Sequence, residues 1–220
     1  MRRVINLSLN DSSRNDFYDK QLQSPNIIRR CWHNGRRILI HRLVAKYYNG
    51  GVIADLGCGN CTWNYRSDYI VTGIDKNREA LRYAINQKRI AHSVCADVVD
   101  TGLQDGVVQL LVSSEVMEHI PDTDGYLKEV YRLLSNNGIF IVTLPYDTCC
   151  SLWKPLFALQ CFLKGNMQRD PYYINKCGHI HHYGKKKLKN RLRLIGFKVK
   201  EIGVYYGMTL YCVAYKEVET

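Results

Sequence analysis

Val52-Ile53-Ala54-Asp55-Leu56-Gly57-Cys58-Gly59 is the stretch on which the fold turns. A short, mostly apolar run bounded by glycines reads as a buried strand. The glycines let the backbone turn tightly and come close to a ligand. Tyr69 to Asp75 is a second strand, rich in β-branched residues. A helix from about Asn77 to Arg89 follows, with Leu81, Ala84 and Ile85 turned inward, and then a third strand near Ser93 to Ala96. Val107 to Ser113 is a near-continuous apolar run, the pattern of a parallel strand covered on both faces. Thr123 to Leu134 is a helix with Leu127, Val130, Tyr131 and Leu134 on its inner side. Asn136-Asn137-Gly138 stops it, and Ile139 to Leu144 is a fifth strand. Strands alternating with helices predict a parallel, doubly wound α/β sheet.

Toward the N-terminus, Ile40, Leu43, Val44 and Tyr47 form the apolar stripe of a helix from about Arg36 to Tyr48. Before it, residues 1–35 are a polar, partly helical extension, with Ser24 placed as a cap and Pro25 at a first helical position. Toward the C-terminus, residues 146–184 break the alternation and are aromatic and histidine-rich. A basic helix from Lys185 to Leu194 leads through Gly196-Phe197 into two strands, near Lys198–Val204 and Thr209–Tyr215, expected to pair as an antiparallel hairpin at the sheet edge. The expected architecture is one domain over residues 1–220. It is a Rossmann-like, mostly parallel sheet of about seven strands, with 146–184 as a substrate lid.

The chain is 220 residues long and 46% apolar, enough for one full core. No stretch reaches the roughly 18 uninterrupted apolar residues of a membrane span, and no signal peptide is read at the N-terminus. Nine scattered cysteines point to a reducing compartment with free thiols, hence a cytoplasmic location. Cys58 and Cys61 form a CxxC, but no second pair accompanies them to build a zinc site. The formal net charge is +11. Lys185, Lys186, Lys187, Lys189, Arg191, Arg193, Lys198 and Lys200 contribute without one carboxylate among them. Such a segment is a solvated helix face, or attracts nucleic acid, anionic lipid or an acidic small molecule.

In open α/β sheets, ligands bind beyond the C-terminal ends of the central strands. Asp75 closes the second strand, where a carboxylate can accept both hydrogen bonds of a ribose diol. The dinucleotide fingerprint G-x-G-x-x-G fails, because Thr62 holds its third glycine position, and no phosphate loop is present. Asp55-Leu56-Gly57-Cys58-Gly59 resembles the first motif of class I S-adenosylmethionine-dependent methyltransferases. Val71–Asp75, Asp97, Ser114–Asp122, Leu133–Pro145 and Gly196-Phe197 resemble their later motifs, in order. The closest likeness is to the type 11, ubiquinone-biosynthesis-like branch that acts on small molecules. It covers residues 36–145 well and 178–215 loosely.

The resemblance implies S-adenosylmethionine as cofactor and S-adenosylhomocysteine as product. Backbone around Gly57, Cys58 and Gly59 would hold the methionine part, and Asp55 its ammonium. Asp75 would bind the ribose, with Lys76 beside it. Asp97 and Val98 would flank the adenine, and Ser114 and Glu115 would lie under the sulfonium. Three positions depart from the family pattern: Cys61 for a third glycine, Gln109 for a frequent aspartate, and Asn136-Asn137-Gly138 for Pro-Gly-Gly.

Methyl transfer from a sulfonium needs an aligned, desolvated nucleophile, and an oxygen nucleophile gains from a general base. His119 and His182 are the candidate catalytic residues, with His179 and His181 nearby in the chain. Glu115-x-x-Glu118-His119 also resembles the metal motif of small-RNA 2′-O-methyltransferases. A divalent ion is therefore conceivable, though similar residues serve metal-free relatives. Trp153, Leu156, Phe157, Leu159, Phe162 and Leu163 make the lid apolar, and Tyr172, Tyr173 and Tyr183 add aromatic groups. The bland reading of that stretch is a helix closing the core. The functional one is a pocket for a hydrophobic or lipid-linked acceptor, with peripheral membrane contact through the basic C-terminal helix. An RNA acceptor and a non-catalytic cofactor-binding module are the competing readings.

Overall fold

The computed structural model describes residues 16–148, 151–167, 169, 174–175 and 178–217. Tyr172 and Tyr173 lie outside the described residues. Two helices precede the sheet, α1 (Phe17–Leu22) and α2 (Ile27–Tyr47). The sheet and its crossovers follow: β1 (Ile53–Leu56), β2 (Val71–Asp75), α3 (Arg78–Asn86), β3 (His92–Cys95), β4 (Val108–Ser114), α4 (Thr123–Leu133) and β5 (Leu134–Pro145). Next come α5 (Trp153–Cys161), a π-helical segment (Phe162–Met167), α6 (Lys185–Ile195), β6 (Phe197–Tyr205) and β7 (Thr209–Lys216).

The seven strands lie in the order β3-β2-β1-β4-β5-β7-β6. The first five are parallel, and β7 runs antiparallel to both β5 and β6. The expected hairpin is therefore present, with its second strand inserted next to β5. Strand order reverses beside β1, which pairs with β2 on one side and β4 on the other.

Side chains alternate between the two faces, as the strand period of two requires. Ile53, Leu110, Val112 and Ile141 face a core shared with Leu39, Leu43 and Val44 of α2 and Leu81 of α3. Ala54, Leu56, Leu111 and Phe140 face the other core, against Leu127 and Val130 of α4 and Leu188 and Leu192 of α6. Caps set the crossover helices. The Asn77 side chain accepts from Glu79 N and Ala80 N, and Asp122 accepts from Gly125 N. Gly196 ends α6 in the left-handed conformation.

Four expectations need correction. Helix α2 begins at Ile27, capped by Asn26, so Ser24 and Pro25 precede it. Its first turns carry the exposed Ile27 and Ile28, so the core-facing stripe becomes visible only farther along. Ile85 is 40% exposed, because only Ala80, Leu81 and Ala84 of α3 are buried. Asn136-Asn137-Gly138 does not separate helix from strand. It lies within β5, with Asn137 at φ 60° where the pairing to β4 shifts register.

Candidate active site

The loop after β1 is shaped by its glycines. Gly57 has φ 73°, and a Cβ there would sit 2.5 Å from Val116 Cγ2, so no larger residue fits. Gly57 N and Cys58 N both donate to the Ile74 carbonyl, tying the loop to the end of β2. Asp75 then organises both neighbours: Gly59 N donates to Oδ2 and Asn77 N to Oδ1, each at 2.8 Å. Each carboxylate oxygen keeps a further lone pair for a ligand.

Asp55 is 2% exposed and accepts a 2.8 Å hydrogen bond from Trp63 Nε1. Burial pushes its carboxyl up to about 7, against the lowering effect of the Trp63 and Cys61 hydrogen bonds. Cys58 and Cys61 are free and buried, and burial raises both thiols well above their usual range. They pack the loop as neutral side chains. On the far side of Asp75, Lys76 Nζ lies 2.7 Å from Asp97 Oδ2. Burial alone would raise the Asp97 carboxyl, but the Lys76 contact and the Val99 and Val98 N–H groups hold it low. Val98 is buried beside it.

At the end of β4, Ser114 Oγ accepts from Thr143 Oγ1 at 2.9 Å. Glu115 has φ 57°, a strained conformation for a non-glycine residue, and its N–H donates to the Thr143 carbonyl. Its carboxylate pairs with Arg36 Nη1 at 3.1 Å, with both side chains about one-tenth exposed. Burial raises the Glu115 carboxyl, and Arg36 opposes that rise.

Two cavities meet here. A small one of about 40 Å³ includes Asp55, Gly57, Ser114 and Glu115 in its lining, together with Arg37. Arg37 Nε is buried with no hydrogen-bond partner among the described residues. An unsatisfied cationic donor beside carboxylates matches an amino-acid group with its own carboxylate and ammonium. The second cavity is about 360 Å³. Tyr18, Arg36 and Glu115 line both, so they form the partition between them.

The larger cavity has an aromatic wall. Trp153, Phe157 and His179 lie nearly parallel, with ring centroids 4.3 to 5.5 Å apart. Phe17, Tyr18 and Trp32 of the N-terminal helices also line it, as do Glu118 and His119. Backbone bonds from Ile180 N and His181 N to the Glu118 carbonyl bring the 178–181 segment to this place. Glu118 is 1% exposed, and burial raises its carboxyl well above the usual range, with the Glu115 charge adding to the rise. His119 Nδ1 lies 3.1 Å from the Gly178 carbonyl. Burial lowers the His119 imidazole, and lowers that of His179 to about 3, so both are neutral near pH 7.

Of the two histidines picked from the sequence, His119 lines the cavity. His182 does not: it is 61% exposed and pairs with Asp147. His179 is the second histidine at the site. Glu118, His119 and His179 offer one oxygen and two nitrogens within 4.8 Å of one another. Glu115 is engaged with Arg36 and stands outside that group. Sequence reading missed Tyr18, Trp32 and Arg36, which no motif marks. One signal did exist: Arg36 stands four residues before Ile40 on an apolar helix stripe, and a buried arginine demands a carboxylate.

This fold and this loop resemble those of class I S-adenosylmethionine-dependent methyltransferases. Residues 54–142 match the family described as a methyltransferase domain. A probable S-adenosylmethionine-dependent methyltransferase of Mycolicibacterium smegmatis is 22% identical over 189 residues, covering 81% of this chain. The chain spans 64% of that relative's length. Among solved structures, an S-adenosylmethionine-dependent methyltransferase of Thermotoga maritima, described as a possible histamine N-methyltransferase, has a TM-score of 0.68 at 14% identity. That match covers 94% of this chain and 97% of the other. One from Mesorhizobium loti has a TM-score of 0.62 at 18% identity, covering 83% and 99%. At these identities the structural likeness speaks for the fold.

The residues present fit S-adenosylmethionine. The Gly57 cradle, Asp55 and the unsatisfied Arg37 Nε suit its amino-acid end. Asp75, with a lone pair left on each carboxylate oxygen, suits the ribose.

Proposed function

We propose that this protein is a cytoplasmic enzyme that transfers the methyl group of S-adenosylmethionine to an oxygen of a hydrophobic or lipid-linked small molecule. The observation that carries this reading is the partition of Tyr18, Arg36 and Glu115, where the apolar cavity of about 360 Å³ touches the glycine-loop pocket. The cofactor, when bound, supplies a methyl group already activated for displacement by a nucleophile. The protein's own part is to exclude water, orient the acceptor and accept its proton. Segment 146–184 acts as the lid, with Trp153 and Phe157 forming the apolar wall. With its Nδ1 hydrogen on the Gly178 carbonyl, His119 presents Nε2 as the basic atom. The whole chain works as one domain.

Among the described residues no helix is long and apolar enough to cross a membrane. The lid instead favours peripheral contact. Leu159, Phe162, Leu163 and Met167 recur at helical spacing and are 43 to 69% exposed. Leu159, Leu163 and the exposed Ile28 also line the cavity, which marks its mouth. Residues 20–54 and 148–169 contain no Asp or Glu, while Arg29, Arg30 and Lys154 stand among these apolar groups. An apolar rim beside basic side chains suits an anionic bilayer. We therefore assign the membrane contact to the lid mouth, where an apolar acceptor would enter, rather than to the basic α6.

The test uses methyl-labelled S-adenosylmethionine with fractionated cell extract. Label is expected in the organic-soluble fraction, and His119→Ala should lower kcat by one to two orders of magnitude. Label in the RNA fraction, or none from protein that binds S-adenosylhomocysteine, would overturn the reading.

A further inference from the structure

Helix α1 is the wall of the glycine-loop pocket with the least apolar packing to hold it. It buries none of its six residues. Helix α2, by contrast, sinks Leu39, Ile40, Leu43 and Val44 into the core. Elements with few buried apolar contacts are the ones that open most readily. Even so, Tyr18 of α1 lies against the loop: a Cβ at Gly59 would meet Tyr18 Cε2 at 3.3 Å. The same side chain lines both cavities.

What holds α1 there is polar. Asp19 accepts from Arg89 Nη2 at 2.9 Å on one carboxylate oxygen. On the other it accepts from Arg89 Nη1 at 3.1 Å and from the Tyr83 hydroxyl at 2.7 Å. The Asp19 and Arg89 side chains are 19% and 12% exposed, so solvent and salt screen this bidentate pair little. Arg89 Nη1 also donates to the Asn60 carbonyl at 3.2 Å, which joins α1 to the glycine loop through one guanidinium. At the C-terminal end of α1, Asn34 Nδ2 of α2 donates to the Leu22 carbonyl. Helix α1 is thus hinged on α2 and latched at Asp19.

The small cavity beside Tyr18 measures about 40 Å³, room for roughly three waters at about 10–15 Å³ each. Its lining suits the amino-acid end of S-adenosylmethionine, but that group needs more space. The rest of the lining comes from α2, residues 55–63 and the end of β4. Movement of α1 supplies the space without disturbing the sheet.

We propose that α1 is a strap that opens to pass the cofactor and closes over it, and that Asp19 is the positioning residue that latches the strap to Arg89 and Tyr83. Closed, the latch seats Tyr18 between the two cavities. The latch rests on the glycine loop as the cofactor site; only the importance of Tyr18 for transfer rests on the proposed function.

Surface plasmon resonance with the immobilised full-length protein and S-adenosylhomocysteine gives the on-rate and the off-rate separately. A gate slows entry and exit alike. Asp19→Asn, which removes the charge and keeps the shape, should raise both rates about tenfold and move Kd less than either. Tyr83→Phe, which removes one of the three bonds, should raise both about twofold. Asp19→Glu keeps the charge and should stay within about threefold of the native rates.

Unchanged rates in Asp19→Asn would overturn the proposal. A faster off-rate at an unaltered on-rate would also overturn it, because Asp19 would then support the bound cofactor without gating its entry. If Asp19→Asn fails to fold, hydrogen exchange on the native protein decides. The α1 amides should exchange faster than those of Leu39–Val44 in α2 and should slow when S-adenosylhomocysteine is added. Protection of α1 that ignores the ligand would overturn the strap. Failure of the native protein to bind S-adenosylhomocysteine would instead strike the cofactor site itself.

Discussion

Replacing Asp55 with asparagine tests the electrostatics of the glycine loop directly. The carboxyl is 2% exposed and is raised from an ordinary 3.8 to about 7, burial being the main cause. The sign of the effect follows from proton counting. Between those two values the folded protein holds a proton that the unfolded chain has released, so stability falls as pH rises. A tenfold change in proton affinity corresponds to about 1.4 kcal/mol, so the native aspartate costs about 1.7 kcal/mol at pH 5 and about 4 kcal/mol at pH 8. Asparagine keeps an oxygen for the Trp63 indole and has no charge to bury. The stability of Asp55→Asn relative to the native protein should therefore rise by about 2.5 kcal/mol between pH 5 and pH 8. Urea unfolding followed by tryptophan fluorescence at four pH values in that range measures the difference, and other titrating groups cancel. A flat difference would refute the assignment. An ammonium group bound at Asp55 favours its ionised form. S-adenosylhomocysteine should accordingly bind native protein more tightly as pH rises through 7, a trend absent from the variant.

Arg36→Ala strands Glu115 as an unpaired buried charge and should cost about 3–5 kcal/mol in thermal or urea unfolding. Adding Glu115→Gln to it should recover a large part of that loss. Gly57→Ala meets both a φ of 73° and a 2.5 Å contact with Val116. It should destabilise by about 1–3 kcal/mol and weaken S-adenosylhomocysteine at least tenfold by calorimetry. Asp75→Ala should abolish that binding while the protein stays folded by circular dichroism. For the membrane face, Leu159→Ser with Phe162→Ser and Leu163→Ser should sharply reduce sedimentation with phosphatidylglycerol vesicles. Neutralising Lys185, Lys186 and Lys187 should reduce it far less, and the reverse ranking would return the contact to α6.

Much of the glycine-loop end of the sheet was legible because its pieces are local. Asp55, Gly57, Gly59 and Asp75 each stand at the end of a strand recognisable from a handful of consecutive residues. A parallel sheet turns that order along the chain into proximity in space. The two-face alternation of β1, β4 and β5 was likewise contained in their own residues.

The larger cavity was not legible to the same degree, for a physical reason. Arg36 and Glu115 are 79 positions apart, and only the docking of α2 beside the sheet's C-terminal edge makes them a pair. His179 displaces His182 at the cavity because Ile180 N and His181 N bind the Glu118 carbonyl, which fixes how the segment is laid down. The exposure of Ile85 and the early start of α2 depend on which faces meet a neighbour, and periodicity ranks faces without knowing the neighbour. The sequence alone thus determined the alternation of strands and helices, the glycine loop and the resemblance that implies the cofactor class, since short-range chemistry encodes them. Tertiary structure decided which buried charges pair, which histidine faces the cavity and where the apolar rim opens. Those follow from long-range packing, in which each side chain's surroundings are supplied by distant parts of the chain.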